Sequence, residues 1–306
     1  MALVSPNPFP PRTPRAAGRD DAAELSDWQA WVGRFAELMQ APLKPAPELT
    51  TAQTGGLCMI FAPHPDDECI VGALPLRLRQ EAGWRVCNVA VTLGSKPERR
   101  QPRWQELEDA CALLGFENIR PGEQGLEDVR PDTARLRPAL WASHLAQMSE
   151  LLSQRKPELL LLPFAEDGNA THKGVHQLIG EAIARAGLTT VVAETEFWGT
   201  MPSPNWMVET SALDTARLIQ ALARHRGEVK RNPYHLRLPA FLADSVRRGG
   251  ELIAGAGSAP PDYAFATLYR LSLWREGRPC GDLPPRLCPA EHGLQSAWLA
   301  SEDPDR

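Results

Sequence analysis

The chain reads as an α/β protein, a Rossmann-like three-layer α/β/α fold with a mostly parallel sheet and an N-terminal helical extension. Three observations predict this. Short continuous apolar runs recur at 57–62 (LCMIFA), 84–93 (WRVCNVAVTL), 158–164 (ELLLLPF) and 188–198 (LTTVVAETEFW), as expected of strands covered on both faces. Stretches of helical spacing separate these runs, the alternation that builds a parallel sheet. With 306 residues, 43% of them hydrophobic, the chain can also bury a sizeable core.

Taken in order, residues 1 to about 22 are rich in Pro and Arg and lack apolar periodicity, which predicts an arm without a packed face. Trp28, Trp31, Val32, Phe35 and Leu38 then recur at helical spacing, and Pro42 and Pro45 end that segment. A helix is expected after the first strand up to about Gln80, with Gly83 as its stop, and the strands at 57–62 and 84–93 are expected to be neighbours. Further helices are expected at 103–114, 131–154, from near His172, at 212–226 and at 238–249. YAFATLYRLSL reads ambiguously, and the segment after Arg278 reads as a Pro-rich tail with an acidic end. These divisions give an arm and helix at 1–50, a main domain at 51–275 and a tail at 276–306.

Net charge near −5, with no long run of one sign, argues against nucleic acid as a partner. No stretch of about 18 apolar residues is present, so no membrane span is expected. The six cysteines form no C-x-x-C pair and mostly sit in apolar runs, which suits a reducing cytoplasm. Homo-oligomerisation is left open.

The chemistry concentrates at the ends of two strands. Ala62-Pro63-His64-Pro65-Asp66-Asp67-Glu68 follows the first run, where open α/β sheets bind ligands. A helix start accounts for an acidic residue such as Glu68. It does not account for His64 between two prolines that restrict its backbone. The second cluster, Asp167-Gly168-Asn169-Ala170-Thr171-His172-Lys173-Gly174-Val175-His176, follows the third run. In a parallel sheet both loops open on one rim, so His172 can approach His64 and Asp67. Two imidazoles and a carboxylate suit Zn²⁺ with a fourth position left for water. His172 and His176, four apart, would share a helix face, a second way to pair ligands.

Residues 63–72, PHPDDECIVG, resemble the signature of the PIG-L/LmbE-like de-N-acetylases. The similarity extends over about 55–270 and includes Arg103-Trp104-Gln105-Glu106-Leu107, similar to the family's R-x-x-E-L helix. Ala223-Arg224-His225-Arg226 and Tyr263-Ala264-Phe265 resemble it more faintly. The resemblance implies one Zn²⁺ per chain, with His64, Asp67 and His172 as ligands and Asp66 as general base. It implies a zinc-dependent hydrolase removing an N-acetyl (N-acyl) group from an N-acetylglucosamine-type amino-sugar conjugate, a small-molecule substrate. The family's second motif, H-P-D-H-R-A-V-G, aligns with 169–176 and sets Asn169 where the family carries a histidine. Asn can donate to an oxyanion but delivers no proton, so either Asp66 does both jobs or another group, His176 first and Asp167 next, protonates the leaving amine.

For the substrate, Arg103 offers a guanidinium fork, though it could equally be a helix pair with Glu106. Trp198 and Trp206 could stack on a sugar ring or simply pack in the core. Two rivals are a catalytically weak, metal-containing sugar-binding protein and a Mg²⁺-dependent phosphatase-like enzyme. The two imidazoles count against the latter, because Mg²⁺ favours oxygen ligands.

Overall fold

The computed structural model describes residues 19–44 and 55–294. Within them lie α1 (Arg19–Leu38), β1 (Leu57–Ala62), α2 (Asp67–Ile70), α3 (Ala73–Ala82), β2 (Arg85–Ala90), α4 (Pro97–Leu114) and β3 (Glu117–Ile119). Next come α5 (Thr133–Leu136), α6 (Pro138–Arg155), β4 (Leu159–Pro163), α7 (Ala170–Ala186), β5 (Thr190–Thr195) and β6 (Trp206–Glu209). The chain continues through α8 (Ala212–Leu222), α9 (Arg226–Arg231), α10 (Leu238–Ala254), β7 (Ala266–Arg275), β8 (Arg278–Asp282) and β9 (Arg286–Cys288).

The strands form one sheet in the order β3-β2-β1-β4-β5-β7-β6-β9, with β8 paired to β7. β1 pairs in parallel with both β2 and β4, and β7 enters antiparallel to β5 and β6. Alternation along each strand serves both faces. Cys58, Ile60 and Ala62 of β1 pack in one apolar cluster with α1, α3, α4, α8 and α10. Leu57, Met59 and Phe61 pack in another with α6 and α7. The three layers follow directly, each fully buried aliphatic side chain contributing about 1.5–3 kcal/mol.

The ends of these elements follow local rules. Gly83, Gly115 and Gly187 close α3, α4 and α7 in the left-handed conformation that glycine adopts without a Cβ clash. The N-terminal helix lies against α8, as its apolar stripe predicts, and is pinned by Arg224 to Asp21 at 2.7 Å and to Glu24 at 2.6 Å. It begins at Arg19, inside the segment read as an arm; the rest of that arm, 1–18, lies outside the described residues.

Two expectations change. Residues 278–288 are not a tail, because β8 pairs with β7 and β9 with β6 in the same sheet. The ambiguous segment is β7, a strand of ten residues at the centre of the antiparallel portion. Among the described residues no helix is long and apolar enough to cross a membrane.

Candidate active site

From β1 the chain proceeds to β2 and β3 on one side, while β4 and β5 lie on the other, so the crossover reverses between β1 and β4. That reversal opens a crevice at the carboxyl edge of the sheet. The 63–68 loop leaves β1 there, and the 164–169 loop leaves β4 beside it. Parallel pairing of the two strands therefore brings residues about a hundred positions apart to one rim.

Three predicted ligands meet. His64 Nδ1 lies 3.4 Å from Asp67 Oδ2, His172 Nε2 lies 3.3 Å from the same oxygen, and the two ring nitrogens are 3.3 Å apart. Donor atoms bound at about 2.0–2.1 Å to a tetrahedral Zn²⁺ stand about 3.4 Å from one another. The triangle thus fits that ion in donor type and in size. The backbone N–H of His64 also donates to Asp67 Oδ2 at 2.9 Å, which holds the carboxylate in place.

Electrostatics reinforce the cluster. Burial pushes the Asp67 carboxyl up, but His172 and His64 outweigh it and hold the group well below the usual carboxylate range. Burial pushes His172 down, and Asp67 together with Asp167 more than reverses that, so its imidazolium is favoured above the ordinary value. The far nitrogen of His172, Nδ1, faces Asp167 Oδ1 at 3.5 Å and makes no hydrogen bond. Phe197 closes the remaining side, edge-on to the His172 ring.

A cavity of about 810 Å³ opens beside the cluster and is lined by His64, Asp66, Asp67, Asn169, Arg103 and Trp198 among others. Asp66 sits at φ 122°, ψ −26°, a conformation that costs a non-glycine residue on the order of 1–3 kcal/mol and persists only where its surroundings enforce it. Its carboxyl is raised well above the usual range, by burial first and then by Asp67. Asn169 caps α7, its Oδ1 accepting from the Thr171 amide at 2.8 Å, so the Nδ2 group remains as its donor. Trp198 is half exposed at the mouth, with Tyr234 tilted against it at 5.9 Å. Trp206, by contrast, is fully buried in β6.

Residues 59–183 match the family model described as PIG-L: GlcNAc-PI de-N-acetylase. The PIG-L match runs from β1 into α7 and so contains both loops of the cluster. Among solved structures, the chain is similar to the conserved protein TT1542 from Thermus thermophilus, at 18% identity and a TM-score of 0.51, covering 70% of this chain and 93% of that one. The A40926 pseudoaglycone deacetylase Dbv21 matches at 16% identity and a TM-score of 0.52, covering 72% and 98%. GalB, a 4-carboxy-2-hydroxymuconate hydratase from Pseudomonas putida KT2440, matches at 15% and 0.52, again covering 72% and 98%. These likenesses establish the fold; a deacetylase and a hydratase share it equally, so function must be argued from the site. No curated protein sequence matches the chain.

Two predicted residues behave differently from expectation. His176 does not line the cavity: its Nδ1 lies 3.0 Å from the Pro163 carbonyl and 3.6 Å from Glu194. His172 stands in the first turn of α7, and four residues on, His176 has moved about 6 Å along the axis, away from the rim. Its ring is tied instead to the β4 and β5 strands. Arg103 lines the cavity but is no first-turn partner of Glu106, since α4 starts six residues earlier at Pro97. Its Nη2 donates to the Pro65 carbonyl at 3.0 Å, and its Nε faces Glu228 at 3.6 Å.

Sequence reasoning passed over Glu68 and His225, both fully buried and joined at 2.7 Å. Nothing in the local pattern links residues 157 positions apart. The one available signal was an acidic and an imidazole side chain each inside a segment resembling the family.

Proposed function

We propose that this protein is a zinc-dependent hydrolase that removes an N-acetyl group from an N-acetylglucosamine-type amino-sugar conjugate. The observation that carries it is the triangle of His64 Nδ1, Asp67 Oδ2 and His172 Nε2, with sides of 3.3–3.4 Å, beside a cavity that Asp66 and Asn169 also line. The PIG-L match supports the same class of reaction. Two imidazoles in the donor set favour zinc over magnesium.

His64, Asp67 and His172 would hold the zinc ion, which would supply Lewis acidity and lower the pKa of a water towards about 7. Asp66 takes the proton from the attacking water and returns it to the leaving amine. Its raised carboxyl suits a group that must carry that proton between the two steps. Asn169, with Oδ1 committed to the helix cap, turns its Nδ2 donor to the acyl oxygen as charge builds there. Trp198 offers a face for the sugar ring. The unpaired cysteines suit a reducing cytoplasm as the working compartment.

The test is a panel of N-acetylglucosaminides with varied aglycones, presented to protein loaded with one zinc per chain, following free amine. Amine release that stops on chelation is the expected result. Absence of release across the panel, or Mg²⁺-dependent phosphate release in its place, would overturn the proposal.

A further inference from the structure

The Pro65–Asp66 peptide is gripped at both of its polar ends by charged side chains. On the carbonyl side, Arg103 Nη2 donates to Pro65 O at 3.0 Å. On the amide side, the Asp66 N–H donates to Glu68 Oε2 at 2.9 Å. Glu68 is itself saturated, since Oε1 faces His225 Nε2 at 2.7 Å and accepts from Cys69 Sγ at 3.0 Å.

Both arms trace back to one short segment after α8. His225 holds Glu68, and Glu228, three residues on, faces Arg103 at 3.6 Å. That segment is in turn fastened to α4, because the Gly227 amide donates to Glu106 Oε1 at 3.1 Å. Arg103 and Glu106, the two charged residues of the R-x-x-E motif, thus tie the 63–68 loop to the start of α9 at 225–228.

We propose that Glu68 and His225 are positioning residues that clamp the Pro65–Asp66 peptide and so fix the direction of the Asp66 carboxylate. Asp66 occupies φ 122°, which an unsupported Asp abandons, and the grip on both sides of its peptide is what over-determines it. Glu68 and His225 are fully buried and line no part of the cavity, so they reach the substrate only through this loop. The inference rests on the proposed role of Asp66 in hydrolysis, but the clamp itself is measurable without turnover.

The experiment compares Glu68→Ala, Glu68→Gln, His225→Ala and His225→Gln with the wild type, as full-length zinc-loaded protein. Amide exchange of the 63–68 peptide is measured together with bound zinc, kcat and KM on the N-acetylglucosaminide. The Ala variants are expected to speed exchange in that peptide by about tenfold or more while leaving β1 and α7 unchanged. They should lose about 10²-fold in kcat, the cost of a misplaced catalytic group, with KM and zinc stoichiometry preserved. The Gln variants keep a hydrogen bond across the pair and should stay within about threefold of wild type.

Normal loop exchange in the Ala variants, or unchanged kcat, overturns the clamp. Should the Ala variants fail to fold, Glu68→Asp decides: it keeps the charge but withdraws the oxygen from the Asp66 amide. It must then show faster loop exchange and the same kcat loss, and wild-type behaviour overturns the proposal. If the wild type turns over no N-acetylated sugar, the hydrolase reading fails while the exchange data still judge the clamp.

Discussion

Asp167 Oδ1 stands 3.5 Å from His172 Nδ1, on the side of the ring opposite the nitrogen that meets Asp67 and His64. Asp167 is held by the Asn169 amide at 2.8 Å and the Trp198 amide at 2.9 Å, so it presents a fixed acceptor to the ring. A carboxylate facing the far nitrogen is the partner that fixes the tautomer of a metal-binding imidazole. Asp167→Asn should therefore weaken zinc binding by roughly 10- to 100-fold. Competition with a chromogenic chelator measures it, and an unaltered zinc affinity would remove Asp167 from the site.

Asp66 and the ligand triangle separate cleanly by substitution. Asp66→Asn should keep one zinc per chain and lower kcat by roughly 10²–10⁴-fold, the usual worth of a general base. His64→Ala and His172→Ala should lose the metal itself. Metal analysis alongside kinetics on each variant tells them apart; an Asp66→Asn enzyme at full speed refutes its role.

The pH dependence has two opposite signs. The folded-state value of His172 is raised above its ordinary 6.5. In metal-free protein that shift contributes stability fully present below pH 6.5, and the contribution disappears as pH rises through the raised value. Zinc needs the neutral ring, so its affinity should fall by about tenfold per unit once pH drops below that same value. Melting of the metal-free protein and zinc titrations across pH 6–9 should thus move in opposite directions. Parallel trends would show that His172 is not the group in competition.

The strands legible in the sequence were those whose burial is continuous. LCMIFA at 57–62 coincides with β1 because both of its faces are covered. β8 reads RPCGD, exposed along its whole length, and exists only because β7 offers it an edge, which is tertiary information. β3, three residues long, is too short for any period to emerge. The site divides in the same way. His64, Asp67 and His172 stand at strand ends, where chemistry is expected, whereas Glu68 and His225 gain their meaning only from a contact across 157 positions. For His176 the spacing of four places two residues on one face of a helix without saying how far along its axis the cavity extends.

At the cavity mouth, Trp198 is the large apolar side chain left half exposed among lining residues of which about half are charged. A sugar ring stacking on it would gain about 0.5–1.5 kcal/mol, by analogy with aromatic pairs. Trp198→Ala should then raise KM by about 2- to 10-fold with kcat little changed. Steady-state kinetics on the best glucosaminide decide it, and an unchanged KM assigns Trp198 no part in binding.

Gly174 offers a test of how closely the cavity wall is seated on α7. A Cβ added there would lie 2.5 Å from the Val129 carbonyl oxygen and 2.6 Å from the Arg130 nitrogen and Cα, all of them backbone atoms that cannot rotate away. Val129 and Arg130 belong to a loop that lines the cavity. Gly174→Ala must push that loop outward, at about 1–3 kcal/mol for overpacking, less the gain of roughly 1 kcal/mol that alanine brings inside a helix. Gly180, on the same helix, has nothing within 4 Å of an added Cβ, so Gly180→Ala keeps the helix gain alone and should stabilise. Thermal melting should thus move in opposite directions for the two variants. KM should rise for Gly174→Ala while zinc stoichiometry holds, because none of the three ligands belongs to the loop that is displaced. Equal melting shifts for the two would mean that the 129–130 backbone yields freely and does not fix the cavity wall.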